Sequence, residues 1–146
     1  MFKRFADDSR YVMAVANQHA LRLNHDYIGL EHVLLALLSP REGRTLYENL
    51  KNLGYDVDKA RKALEIAIEK GPPPKEFKAI IKQTQEVKTA VERAIDYAQQ
   101  ESSEEVQLKH IFLGTYAVLA ERPRAKEMTE SGPCQGDLEK GLLLNP

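Results

Sequence analysis

The stretch that decides the fold is Leu30-Glu31-His32-Val33-Leu34-Leu35, because it returns as Leu108-Lys109-His110-Ile111-Phe112-Leu113 at an offset of 78 residues. The same offset carries Val12, Ala16 and Ala20 onto Ala90, Ala94 and Ala98 without a gap. Farther along it carries Leu50 onto Met128, Gly54 onto Gly132 and Leu64 onto Leu142. A register kept over the whole length marks an internal repeat, and a repeat implies one supersecondary unit used twice.

Within each copy the apolar residues recur at helical spacing. Val12, Val15, Ala16, His19, Ala20 and Leu23 share one face of a first helix, with Arg10, Asn17 and Arg22 on the other. After the turn Asn24-His25-Asp26 comes a short, nearly all-apolar helix through Leu30, Val33, Leu34, Leu37 and Leu38, ended by Ser39-Pro40. A third helix carries Leu46, Leu50 and Leu53 and stops at Gly54, a residue suited to the left-handed helix end. Asp56 is placed to cap a fourth, with Val57, Ala60, Leu64, Ala67 and Ile68 inward. Lys70-Gly71-Pro72-Pro73-Pro74-Lys75 cannot continue a helix and reads as the linker, residues 70–75. Beyond it Val87, Ala90, Val91, Ala94, Ile95 and Ala98 repeat the first stripe, and Leu108, Ile111, Phe112 and Leu119 the short central helix. Gly136 and Gly141 weaken the last helix. No stretch alternates with the period of two that a sheet needs. The expectation is a single all-α domain over residues 1–146 with eight helices. Two four-helix units, residues 1–69 and 76–146, are related by a pseudo-twofold axis, with Leu34 superposed on Phe112 and Leu50 on Met128.

Composition narrows the function. The chain has 146 residues, 42% of them hydrophobic, enough for a core. Its 21 basic and 22 acidic side chains, interspersed, leave a net charge of −1, so no basic stripe addresses nucleic acid or an anionic membrane. No apolar run approaches the ~20 residues of a membrane span, and the amino end lacks a signal-peptide core, so a cytoplasmic setting is expected. Cys134 is the one cysteine, which rules out an internal disulfide and a cysteine-based zinc site.

Chemistry is sparse. His19, His25 and His32 lie in one region beside Asp26 and Glu31, but without the spacing of a metal set, and the match of His32 with His110 indicates a packing role common to both copies. Glu31 and His32 as neighbours on a helix point in different directions, against a joint acid/base role. With no GxxxxGK[ST] or GxGxxG loop to cradle phosphates, the chain is expected neither to bind nor to hydrolyse ATP. It reads as no enzyme, with no cofactor.

The segment Asn24-His25-Asp26-Tyr27-Ile28-Gly29-Leu30-Glu31-His32-Val33-Leu34-Leu35-Ala36-Leu37-Leu38 resembles the signature of the Clp repeat domain, close to GHNYIGTEHILLGLL, and Met1-Phe2-Lys3-Arg4-Phe5 is similar to that family's MFxRFT opening. The resemblance covers essentially the whole chain. It implies a module that recruits substrate proteins or adaptors to a Clp-type ATP-dependent unfoldase and its protease, in tandem with the ATPase or as a separate accessory protein. A regulatory, small-ligand-binding or enzymatic reuse of the same fold is the alternative. For the ClpC branch the resemblance further implies recognition of phosphorylated arginine, through the Glu of each EH motif and the Thr that follows the start of each copy's first helix. Glu31 matches in copy one, where Ala6 replaces Thr. Thr84 matches in copy two, where Lys109 replaces Glu. Each site thus keeps one half of its pattern, and the missing hydroxyl at one and the missing carboxylate at the other count against phosphoarginine at both. The expected binding region is therefore the groove between the copies around Phe5, Glu31, Thr84 and Lys109, with Glu31 taking a basic group and Lys109 an acidic one.

Overall fold

A computed structural model describes residues 4–73 and 81–121 of the chain. Among these residues lie six helices and four two-residue strands. In chain order they are β1 (Arg4–Phe5), α1 (Asp7–Arg22), β2 (Tyr27–Ile28), α2 (Leu30–Leu37), α3 (Arg44–Asn52), α4 (Val57–Ala67), β3 (Lys82–Gln83), α5 (Gln85–Gln100), β4 (Glu105–Val106) and α6 (Leu108–Ala120). The offset of 78 maps β1, α1, β2 and α2 onto β3, α5, β4 and α6 start for start. Even the turns agree: Asn24 and Ser102, a matched pair, both adopt left-handed backbone, with φ of 59° and 56°. Asparagine takes that conformation readily; serine does so less often, so the fold imposes it in copy two.

The helices form where the periodicity puts them, and two carry the core. In α2 every residue but Glu31 is buried, and in α6 the run Leu108, His110, Ile111, Phe112, Leu113 is buried with Gly114, Thr115, Ala117, Val118 and Leu119. Such elements, apolar nearly all round, are stable only inside a helical assembly. α1 packs on α2 and α5 on α6, and the two pairs meet where α2 and α6 touch. Leu34 on α2 and Phe112 on α6 are both buried. α3 lays Leu46 and Leu50 against α4 and α6, ending in Gly54 at φ 93°. Asp56 caps α4, its side chain accepting from the Lys59 N–H at 3.0 Å.

Three expectations are corrected. The chain is mostly helical but not strand-free: β1 pairs with β4 and β2 with β3, both parallel. Each strand is the two-residue lead-in to a helix, too short to show alternation, and its pairing uses backbone groups that the sequence does not display. On α4, Val57 and Leu64 are buried, but Ala60 and Ala67 are exposed and Ile66 is 85% exposed. This helix touches the core along one narrow line, helped by Arg61, whose guanidinium donates to the Leu38 carbonyl at 3.4 Å. Leu53 is exposed at the end of α3. The seventh and eighth helices, and with them the match of Leu50 to Met128, lie outside the described residues.

Candidate binding corners

Each parallel strand pair joins the two copies and ends at two helix starts. In the first pair Tyr27 stands opposite Lys82 and Ile28 opposite Gln83, and the Thr84 N–H then donates to the Ile28 carbonyl at 3.0 Å. Thr84 is the cap of α5, its hydroxyl accepting from the Val87 N–H at 3.3 Å. Ile28 leads within three residues to Glu31 in the first turn of α2. In the second pair Arg4 stands opposite Glu105 and Phe5 opposite Val106, and the Ala6 N–H donates to the Val106 carbonyl at 3.1 Å. Val106 leads to Lys109 in the first turn of α6.

Each corner is thus assembled from both copies. Grouping the residues within a copy, as the sequence suggests, sets Glu31 with Ala6 and Thr84 with Lys109. The strand pairing regroups them: Thr84 belongs to the corner of Glu31, and Phe5 and Ala6 belong to the corner of Lys109. One corner keeps both pattern residues, and the other keeps neither.

A buried histidine shapes each corner. His32 and His110 occupy the third position of α2 and α6, where the ring Nδ1 accepts from the N–H of Gly29 and of Gln107, each at 2.9 Å. That bond satisfies a donor that helix geometry leaves open and fixes the turn from strand to helix. The packing role expected for the pair is what the structure shows. A Cβ at Gly29 would stand 2.9 Å from Glu31 Oε2 and 3.3 Å from Tyr27 Cε2, a contact that the flexible Glu31 side chain relieves by turning aside. The Glu31 carboxylate folds over the start of α2, where the helix dipole favours negative charge.

The second corner is different in kind. Lys109 Nζ lies 2.8 Å from Glu101 Oε1, and His110 Nε2 lies 3.1 Å from the same oxygen. Lys109 is 15% and Glu101 3% exposed in their side chains, so the pair is withdrawn from solvent and Lys109 is not a free cation. Phe5 is half-buried and packs on the core. Sequence reading passed over Glu101; its signal was its match to the apolar Leu23, a charge where the other copy has a hydrocarbon. It also passed over Ser9, whose buried hydroxyl donates to the Val106 carbonyl at 2.8 Å and ties α1 to β4.

Beside the β2–β3 pair runs an open groove of about 730 Å³, with Met13, Ile28 and Ile81 in its wall and Lys82 and Lys88 at its edge. Among the described residues no three or more His, Cys, Asp or Glu side chains are grouped to hold a metal, and no helix is long and apolar enough to cross a membrane.

The model of the Clp repeat (R) N-terminal domain family matches residues 4–123. The chain belongs to that family. It is 36% identical over 114 residues to the negative regulator of genetic competence ClpC/MecB of Bacillus subtilis and 35% identical over 114 residues to the chaperone protein ClpB of Oceanobacillus iheyensis. In each case the match takes in 78% of this chain and 14% of the relative, so the chain spans about a seventh of the length of those proteins. Among solved structures the Hsp104 N-terminal domain from Candida albicans superposes with a TM-score of 0.75 at 18% identity, covering 96% of this chain and 89% of that one. The N-terminal domain of ClpD from Arabidopsis thaliana gives 0.63 at 18% identity, over 95% and 92% of the two chains. At such identity these two speak for the Clp N-domain fold.

Proposed function

We propose that this Clp repeat domain is a non-catalytic, cytoplasmic protein-binding module built as a double repeat, and that it recruits substrate proteins or adaptors to a Clp-type unfoldase and protease through one corner, that of Glu31 and Thr84. The single observation that supports this reading is the pairing of β2 with β3, which brings together the starts of α2 and α5, the helix starts that carry Glu31 and Thr84. A carboxylate pairs with a guanidinium, while a hydroxyl and the N–H groups at two neighbouring helix starts suit a phosphoryl group. Phosphorylated arginine, or plain arginine in a basic peptide, is the ligand this set fits, and the open groove beside β2 and β3, with Met13, Ile28 and Ile81 in its wall, offers apolar surface to a flanking residue. At the opposite corner Ala6 offers no hydroxyl and Lys109 is held by Glu101. The absence of a phosphate-cradling loop supports the non-catalytic reading.

Titration with peptides carrying arginine or phosphoarginine, followed by backbone amide shifts, tests it. Shifts should gather around Glu31 and Thr84 with one ligand per chain. Glu31→Ala removes charge-assisted bonds worth about 1.5–3 kcal/mol and should weaken binding roughly ten- to a hundredfold. If Glu31→Ala leaves affinity unchanged while lowering stability, Glu31 serves its helix start alone and the recognition role fails.

A further inference from the structure

Behind the first corner three hydrogen bonds run in one direction. The Gly29 N–H donates to His32 Nδ1 at 2.9 Å, His32 Nε2 lies 2.7 Å from His25 Nδ1, and His25 Nε2 lies 2.8 Å from the Glu69 carbonyl oxygen. The ends are backbone groups that cannot exchange roles: Gly29 only donates and Glu69 only accepts. They fix every proton between them. His32 must carry its proton on Nε2 and give it to His25, and His25 must carry its own on Nε2 and give it to Glu69. All three bonds form only if both imidazoles are neutral.

The chain holds a strap. After Glu69, the Gly71 N–H donates to the Leu23 carbonyl at 2.7 Å, and Asn24 Nδ2 donates to the Gly71 carbonyl at 3.3 Å. A Cβ on Gly71 would stand 2.5 Å from the Asn24 carbonyl oxygen, so this segment lies directly on the α1–β2 turn. The His25 ring also stacks on Tyr27, with centroids 5.2 Å apart and planes 13° apart. Copy two has no counterpart among the described residues: Ser103 matches His25, and His110 Nε2 meets the Glu101 carboxylate instead.

We propose that the His32–His25–Glu69 chain is an acid-released clasp, which holds the strap Glu69–Gly71 on the turn beside the Glu31 corner while both rings are neutral and frees it when either takes up a proton. A proton on His32 Nδ1 would oppose the Gly29 N–H, and one on His25 Nδ1 would set two N–H groups face to face at 2.7 Å; His25 Nε2 remains a donor to Glu69, so the strap is freed only as the His25 ring turns away from His32 and carries that donor with it. The surrounding charges are mixed. His19 on α1, itself bonded to Arg22, adds like charge to a protonated His32, while Glu31 on α2 favours the protonated form. Asp26 and Tyr27 adjoin His25 in the turn and β2, and Lys70 follows Glu69 on the strap. Burial above all, then His25, pushes the His32 ring down to about 4, consistent with a ring kept neutral by the clasp. The inference is independent of which ligand the corner takes.

Long-range proton–nitrogen spectra of the full chain, together with hydrogen exchange corrected for intrinsic rates, test the clasp without a ligand. Near neutral pH both rings should be neutral with the proton on Nε2. Between neutral pH and a pH just below the value of about 4 to which His32 is lowered, the protection of the Gly71 amide should fall roughly three- to tenfold, the weight of one hydrogen bond, while the Leu113 amide in the core remains the more protected of the two. His25→Phe, which can still stack on Tyr27, should give low Gly71 protection with no pH dependence. A Nδ1-protonated or charged His25 near neutral pH overturns the proposal. So does Gly71 protection that is flat in the wild type or lost only together with that of Leu113.

Discussion

Replacing Gly114 by alanine tests the packing of α5 on α6 through the sign of its effect. A Cβ at Gly114 would lie 2.3 Å from the Ala90 carbonyl oxygen, 2.9 Å from the Ala94 nitrogen and 3.3 Å from the Ala90 carbonyl carbon. All three are backbone atoms of α5, so no side chain can swing aside; the helices must separate. Separation loosens the seam where Val87, Ala90, Ala94 and Ala98 meet α6, and forced overpacking of this kind costs about 1–3 kcal/mol. Against it stands the helix propensity of alanine, which favours Gly114→Ala by about 1 kcal/mol in an interior position. Because the obstruction is backbone, the upper part of the range applies, and a net loss of about 2 kcal/mol is expected. That is a fall in Tm of roughly 4–8 °C for a chain of this size. Urea denaturation followed by circular dichroism reads it directly. The matched residue in copy one is Ala36, fully buried, so the α1–α2 pair accommodates the methyl that α5–α6 excludes. A Gly114→Ala protein as stable as the wild type, or more so by the propensity term, would refute the close approach.

Two more outcomes follow from the buried charges. The His32 pKa is lowered from 6.5 to about 4, chiefly by burial and then by His25. The unfolded chain therefore binds a proton below about pH 6.5 that the folded one refuses until about pH 4. Stability should be intact above that window and fall through it by about 3 kcal/mol on acidification, and His32→Gln should flatten the slope in urea titrations at several pH values. A slope equal in both proteins would exclude His32 as its source. Glu101→Ala should cost about 3–5 kcal/mol in thermal denaturation, because it strands Lys109 and His110 in a site nearly closed to solvent, whereas Lys109→Met leaves Glu101 bonded to His110 and should cost less. Equal losses from the two would show that the cluster is held otherwise.

Among the described residues the helix positions and the helix ends were in the sequence, because each depends on residues a few positions apart. The stripe through Val12, Val15, Ala16 and Ala20, the cap at Asp56 and the left-handed Gly54 all act within one or two turns of chain. The matched histidines announced a common role, and the offset of 78 carried it from one copy to the other. What tertiary structure decided was partnership. Strands of two residues leave no pattern, yet their pairing across copies determines that Thr84 stands with Glu31 and Ala6 with Lys109. Whether a lysine is free or withdrawn depends on a glutamate eight residues away, Glu101, brought beside it by the turn between α5 and β4. Exposure along α4 likewise followed from the one narrow line on which it meets α2. Periodicity gives a helix its apolar face, but the width of that face actually covered depends on which neighbours arrive, and those come from distant parts of the chain.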